Sequence, residues 1–289
     1  MGKKNHQWRD SPTETLRVNA GFSIADFDCA STPGFTGDEY HAASLMERRG
    51  KELSDLQERL FAEGRSAGTR SVLLVIQGMD TAGKGGIVRH VVGLVDPQGI
   101  QLHSFGVPTE EEKAHHYLWR IGNALPTPGH IGVFDRSHYE DVLVVRVHNY
   151  VEPSVWGERY DEINAWEAKV AASGTSIVKC ALMVSKEQQL NRLEERLDRS
   201  DKYWKYNPHD LDERGYWDQY MDAYQAAFDK CSTDVAPWYA IPADNKWFAR
   251  LAVTELLTQA LEDMNVNWPA AVFDVQAEKK RVAALRTAQ

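Results

Sequence analysis

Gly78, Gly83 and Lys84 fit the spacing G-x-x-x-x-G-K within Gly78-Met79-Asp80-Thr81-Ala82-Gly83-Lys84-Gly85-Gly86. Such a turn binds phosphate because its glycines let backbone N–H groups, here those of Ala82, Gly83, Gly85 and Gly86, close on phosphate oxygens. The lysine adds positive charge, and a helix that starts there adds its dipole. Gly85 stands where Ser or Thr normally gives a hydroxyl to Mg2+, so a metal has to find its oxygens elsewhere. Asp80, inside the loop, is the first candidate, and Asp135 is the second. Asp135 ends the apolar run His130-Ile131-Gly132-Val133-Phe134, and a carboxylate at the end of a buried strand emerges beside bound phosphates. Arg136 follows at once, where a guanidinium can neutralise charge that develops during phosphoryl transfer.

These groups need a sheet to hold them. Ser71 to Gln77 is an almost unbroken apolar run, as in a strand buried on both faces of a parallel sheet. Further strands are predicted at 100–105, 130–134, 176–184 and 236–242, with helical patterns between them. Alternating strands and helices imply a five-stranded parallel sheet covered on both sides. A helix over 38–64 leads into the first strand, and Thr109 caps a helix that carries His115 and His116. Adjacent histidines point to different sides of a helix, so each is expected to make one ordinary contact.

From Lys186 to Arg199 a helix sorts Leu190, Leu193 and Leu197 onto one face and Arg192, Arg196 and Arg199 onto another. Lys202 and Lys205 extend this basic rail through an aromatic loop, at the place where nucleotide kinases carry a lid over the phosphates. Lys246 and Arg250 lie one turn apart after the fifth strand, at the ligand edge of the sheet. The pattern from Leu211 to Lys230 is one helix with Tyr216, Trp217, Tyr220, Tyr224 and Phe228 as a packing or subunit-interface stripe.

At 289 residues and 43% apolar the chain can bury a full core, and its net charge of -9 argues against a basic coat for nucleic acid. Cys29, Cys180 and Cys231 form no metal spacing and are expected as buried, reduced thiols. The polar start lacks a signal peptide's apolar core, and no stretch reaches the roughly 20 apolar residues of a membrane span, so a cytoplasmic, membrane-free protein is expected. The expected organisation is an arm and helix over 1–65, a catalytic domain over 66–265 with a lid at about 192–215, and a tail over 266–289 that packs as a peripheral helix.

The chain resembles the polyphosphate kinase 2 family. The residues that carry the resemblance are the loop 78–86, Phe134-Asp135-Arg136-Ser137-His138-Tyr139-Glu140-Asp141, Lys202-Tyr203-Trp204-Lys205, and Pro237-Trp238-Tyr239-Ala240-Ile241-Pro242-Ala243-Asp244-Asn245-Lys246. Phe105-Gly106-Val107-Pro108-Thr109 and Tyr117-Leu118-Trp119-Arg120 are similar too. The likeness covers about residues 40 to 265, and Gly85 is usual in the family. It implies a P-loop kinase-like three-layer α/β fold with a helical lid and an N-terminal helical extension. It also implies that Asp80 and Asp135 handle Mg2+, and that Lys84 and Arg136 grip the phosphoryl group. The lid cations, with Lys246 and Arg250, would track inorganic polyphosphate. The segment 137–141 is most like the class III group acting on both AMP and ADP, with Glu140 bearing on nucleotide selectivity. ATP is the product, guanine nucleotides are further acceptors to consider, and the arm and aromatic stripe point to a homo-oligomer. Two rivals remain at this level: a nucleoside monophosphate kinase with ATP as donor, which would ignore polyphosphate, and a nucleotide sensor, which would bind without turnover.

Overall fold

The structure, a computed structural model, describes residues 7–287; the ends of the arm and of the tail, 1–6 and 288–289, lie outside the described residues. In chain order its elements are α1 (Pro12–Thr15), α2 (Glu39–Gly64), β1 (Ser71–Gly78), α3 (Lys84–His90), β2 (Ile100–Ser104), α4 (Glu110–Lys113), α5 (Leu118–Asn123), β3 (Ile131–Asp135), α6 (Val144–Val147) and α7 (Pro153–Ala172). They continue with β4 (Thr175–Met183), α8 (Lys186–Asp198), α9 (His209–Glu213), α10 (Trp217–Cys231), β5 (Trp238–Pro242), α11 (Lys246–Asp263) and α12 (Val275–Thr287). The five strands form one parallel sheet in the order β2-β3-β1-β4-β5.

The apolar run becomes the central strand because both of its faces are covered: Val72, Leu73, Leu74, Val75 and Ile76 have no exposed surface. Helices α3 and α11 pack on the sheet, with α2 lying along α11, and α7 packs on β4 with α10 beside it. Register does the positioning that the site needs. Ile76 of β1 lies opposite Asp135 of β3, and Gly78 opposite Leu182 of β4, so the glycine turn and the two strand ends meet at one edge. Asp38 caps α2 by accepting from the His41 amide, which fixes that helix at its expected start.

The arm docks on its own domain. Val18 donates to the Trp238 carbonyl and Ala240 to the Leu16 carbonyl, at 2.8 and 2.9 Å, so the arm covers the open edge of β5. Trp8 packs on Phe35 and Phe248.

Three expectations change. His115 and His116 sit in the turn between α4 and α5 rather than on a helix, because the capping-box helix that Thr109 starts ends after one turn. Each still makes ordinary contacts: His115 stacks on Trp119 at 4.2 Å, and His116 lies 3.6 Å from Glu162. The helix expected over 211–230 breaks into α9, a 3-10 turn over Arg214–Tyr216, and α10. The break comes at Gly215, whose missing side chain weakens the helix there. The tail forms α12 as a helix, but Val272, Phe273, Val282 and Leu285 are all exposed, so these apolar side chains are not buried against the domain. No helix of the described residues is long and apolar enough to cross a membrane.

Candidate active site

At the carboxyl edge of the sheet lies a cavity of about 570 Å3. Its lining includes Asp80, Ala82, Gly83, Lys84, Gly85 and Gly86 from the glycine turn, Asp135 from the end of β3, and Arg192, Arg196, Arg199, Lys202 and Lys205 from α8 and the loop after it. Lys246 and Arg250 from α11 line it as well. Gly78, Arg136 and Glu140 are not in this lining. They border a second, smaller hollow with Leu143, Glu213, Tyr220 and Tyr224, and Asp80 belongs to both.

The turn is shaped by backbone that only special residues accept. Gly83 has φ 120°, and Thr81 has φ 64°, a left-handed value that a threonine adopts only when its surroundings hold it there. A Cβ on Gly83 would meet nothing within 4 Å, so glycine is required there for its backbone alone. Gly83→Ala is therefore expected to cost about 1–3 kcal/mol of stability. It should also lower turnover by ~10-fold or more, since the loop amides turn away from phosphate. Melting curves beside steady-state rates check both halves.

Lys84 folds back on its own loop, donating to the carbonyls of Gly78 at 2.7 Å and Met79 at 3.3 Å. Desolvation and then the charge of Arg136 push its pKa down, while Asp80, Asp135 and Glu140 pull it up. Arg136, also at φ 64°, lines the smaller hollow and reaches Asp80, which borders both. Its guanidinium donates to Asp80 at 2.8 Å on one side and to Glu140 at 3.3 Å on the other, and Glu140 also accepts from Gln77 at 3.1 Å. The Glu140 charge in particular holds Arg136 above its ordinary pKa. The Asp135 side chain makes no hydrogen bond or ion pair among the described residues, which leaves its carboxylate available.

The basic rail is reorganised by the fold. Arg192 is only 4% exposed, and its guanidinium is committed to the backbone. It donates to the carbonyls of Thr81, Ala82 and Asp244, each at 3.0 Å, and to that of Ala243. Thus Arg192 ties the glycine turn to the loop after β5 and is not a free charge, because α8 meets the sheet edge closely at this point. Gln189, one turn earlier, donates to the Asp80 carbonyl at 3.0 Å. Arg196 binds Asp210 at 3.1 Å and the Lys205 carbonyl at 2.8 Å, Arg199 binds Asp201 at 2.9 Å, and Lys246 lies 3.3 Å from Glu195. Lys205 sits over the Trp204 ring at 4.9 Å.

Several residues at the site escaped the sequence reading. Arg89 and His90 line the larger cavity five and six positions after Lys84, where helical periodicity from the glycine turn would have placed them. Desolvation and then the neighbouring Arg250 and Arg89 push His90 below its usual pKa. Asp210, Asn207 and Glu195 line it too; Asn207 lies in the basic aromatic loop, and Glu195, whose helical position is expected to turn it away from the arginine face, instead meets Arg199 and Lys246. Tyr220 and Tyr224 belong to the aromatic stripe, most of which packs in the core as expected, yet both reach the smaller hollow.

A parallel sheet of this order, with a glycine turn leading from its central strand and a basic helix over the turn, is a P-loop kinase-like fold. The model of the family polyphosphate kinase 2 matches residues 36–269, and the chain belongs to that family. It is 44% identical over 254 residues to an AMP/ADP-polyphosphate phosphotransferase of Meiothermus ruber, a match covering 88% of this chain and 94% of that one. It is 40% identical over 288 residues to an ADP-polyphosphate phosphotransferase of Rhodopseudomonas palustris, covering 95% and 97% of the two chains. The crystal structure of polyphosphate kinase 2 from Arthrobacter aurescens TC1 superposes with a TM-score of 0.94 at 51% identity, covering 96% of this chain and 98% of that one.

Proposed function

We propose that this chain moves phosphoryl groups between inorganic polyphosphate and adenine nucleotides, with both AMP and ADP as acceptors. The observation that supports it most is one cavity holding Lys84, Asp80 and Asp135 at one end and the cations of the lid loop along its wall. Phosphoryl transfer needs in-line positioning and charge neutralisation more than covalent help, and this set of groups is sufficient for both. The names of the Meiothermus ruber and Rhodopseudomonas palustris relatives favour the same donor and acceptors.

Magnesium fits the donor set. No group of three or more His, Cys, Asp or Glu among the described residues could cage an ion, and the two carboxylates of Asp80 and Asp135 leave most coordination places to water and phosphate oxygens, as Mg2+ prefers. When bound, the ion would neutralise charge on the phosphates and orient them. Lys84 would hold the transferred group against the glycine turn, and Arg136 would face it from the Asp80 side. Arg196, Arg199 and Lys202 would exchange their carboxylate partners for phosphates of the chain, and Lys205 would leave the Trp204 ring to do the same. Glu140, in the smaller hollow, would bear on which nucleotide is accepted. Guanine nucleotides as further acceptors, a homo-oligomeric state and a cytoplasmic setting belong to the same reading.

The test supplies long-chain polyphosphate and Mg2+ to the purified protein, with AMP and ADP in separate reactions. ADP and then ATP are expected from AMP, ATP is expected from ADP, and EDTA should stop both. Silence with polyphosphate but turnover with ATP as donor would replace this reading with that of an ATP-dependent nucleotide kinase.

A further inference from the structure

Beneath the Arg136–Glu140 pair, the turn His138–Asp141 stands on a cluster of buried charges. Lys179, in the middle of β4, and Glu167, on α7, have no exposed surface, and neither do His138 and Tyr139 above them. The Lys179 ammonium donates to Glu167 at 2.6 Å, to the Tyr139 hydroxyl at 2.7 Å and to the Cys231 carbonyl at 2.8 Å. The Tyr139 hydroxyl in turn donates to Glu167 at 2.9 Å, and His138 Nε2 lies 3.1 Å from the same carboxylate oxygen.

A buried ion pair is a poor device for stability, since apolar side chains of the same volume often do as well or better. What this cluster does that apolar packing cannot is to fix two consecutive residues of the turn by directed bonds. The other end of the turn is tied as well, by Arg159 to the Asp141 carboxylate at 2.9 Å and to its carbonyl at 3.0 Å. Between these anchors stands Glu140, turned outward to Arg136 and Gln77. Arg136 occupies a left-handed backbone conformation that must be held by its surroundings, and Glu140 is one of the two groups that hold its side chain.

We propose that Glu167 is a positioning residue: through His138 and Tyr139 it sets the Glu140 carboxylate, and through Glu140 the guanidinium of Arg136, in the geometry that transfer requires. The inference rests on the proposed phosphoryl transfer for its kinetic consequence and on packing alone for its structural one. Glu167→Gln leaves Lys179 buried without its counter-charge and can fail to fold, so two further variants carry the test. Tyr139→Phe removes one hydroxyl and keeps the ion pair, and Glu167→Gln combined with Lys179→Met removes both charges together.

Both variants are expected to fold, the double variant melting near the parent, with kcat lowered ~10-fold or more and KM for polyphosphate within about twofold of the parent. The conservative single change Glu167→Asp should recover part of the lost kcat. A crystal structure of the double variant reads the same point without turnover: the Arg136–Glu140 contact, 3.3 Å in the parent, is expected to open. Parent-like kcat in both variants, or an unmoved turn in that crystal structure, would overturn the inference. A parent protein inactive with polyphosphate would overturn the functional reading instead, and the crystal structure would still decide the positioning one.

Discussion

Asp135→Asn is expected to lower turnover by ~10^3-fold or more, a barrier increase of about 4 kcal/mol, with the melting temperature unchanged. The stability half follows from where the side chain stands. Asp135 ends β3 with its carboxylate making no hydrogen bond or ion pair among the described residues, so an amide of the same shape breaks nothing in the fold. The activity half follows from its company. It opens into the cavity that holds Lys84, and its charge is among those that oppose the downward push of desolvation on the Lys84 pKa. Losing the charge removes one of two carboxylate ligands of the proposed Mg2+ and weakens the electrostatic balance around the lysine. Asp80→Asn is the less readable experiment, because it also dissolves the 2.8 Å ion pair with Arg136. Initial rates at saturating Mg2+ and polyphosphate, beside melting curves, decide the matter. An Asp135→Asn protein that keeps a tenth of the parent rate would remove this residue from the metal site.

Arg192→Met and Arg199→Ala should separate two arginines that lie on one helical pattern. Replacing Arg192 leaves the carbonyls of Thr81, Ala82, Ala243 and Asp244 without a donor in a buried place. Hydrogen bonds to a charged group contribute about 1.5–3 kcal/mol each and do not add fully, so a loss of about 3–5 kcal/mol is expected. For a chain of this length that is a fall of roughly 10 °C in melting temperature. Arg199 is exposed, and its pairs with Asp201 and Glu195 are surface contacts that contribute little to stability. Its removal should leave the melting temperature alone and raise KM for polyphosphate several-fold, more at low than at high salt. Equal melting temperatures for the two variants would refute the tie between the glycine turn and the loop after β5.

Much of this molecule was legible in its residues because local physics dictated it. An apolar run followed by glycines and a lysine leaves few choices beyond a buried strand, a phosphate-sized turn and a helix; short apolar runs gave the remaining strands, and the 3.6 period gave the helices over 38–64 and 186–199, to within two or three residues. The parallel sheet followed from alternation alone. Errors came where a local pattern was broken by a single residue or was not buried: Gly215 interrupts a helix whose aromatic spacing runs on through it, and α12 carries Val282 and Leu285 exposed.

What only the tertiary structure decided is how charges with the same local signature are spent. Helical spacing puts Arg192, Arg196 and Arg199 on one face, but distance from the sheet edge makes the first a buried tie between loops and the last an exposed cation. Glu140 and Asp141 are neighbours in an acidic turn, yet one faces Arg136 and the other is anchored by Arg159. The buried Lys179–Glu167 pair joins β4 to α7 across 12 positions and reaches Tyr139 across 28 more, separations that no periodicity encodes. The spacing of residues along a chain fixes which groups share an element. Which of them lose water, and which carbonyls and carboxylates they meet when they do, is set by how the elements pack.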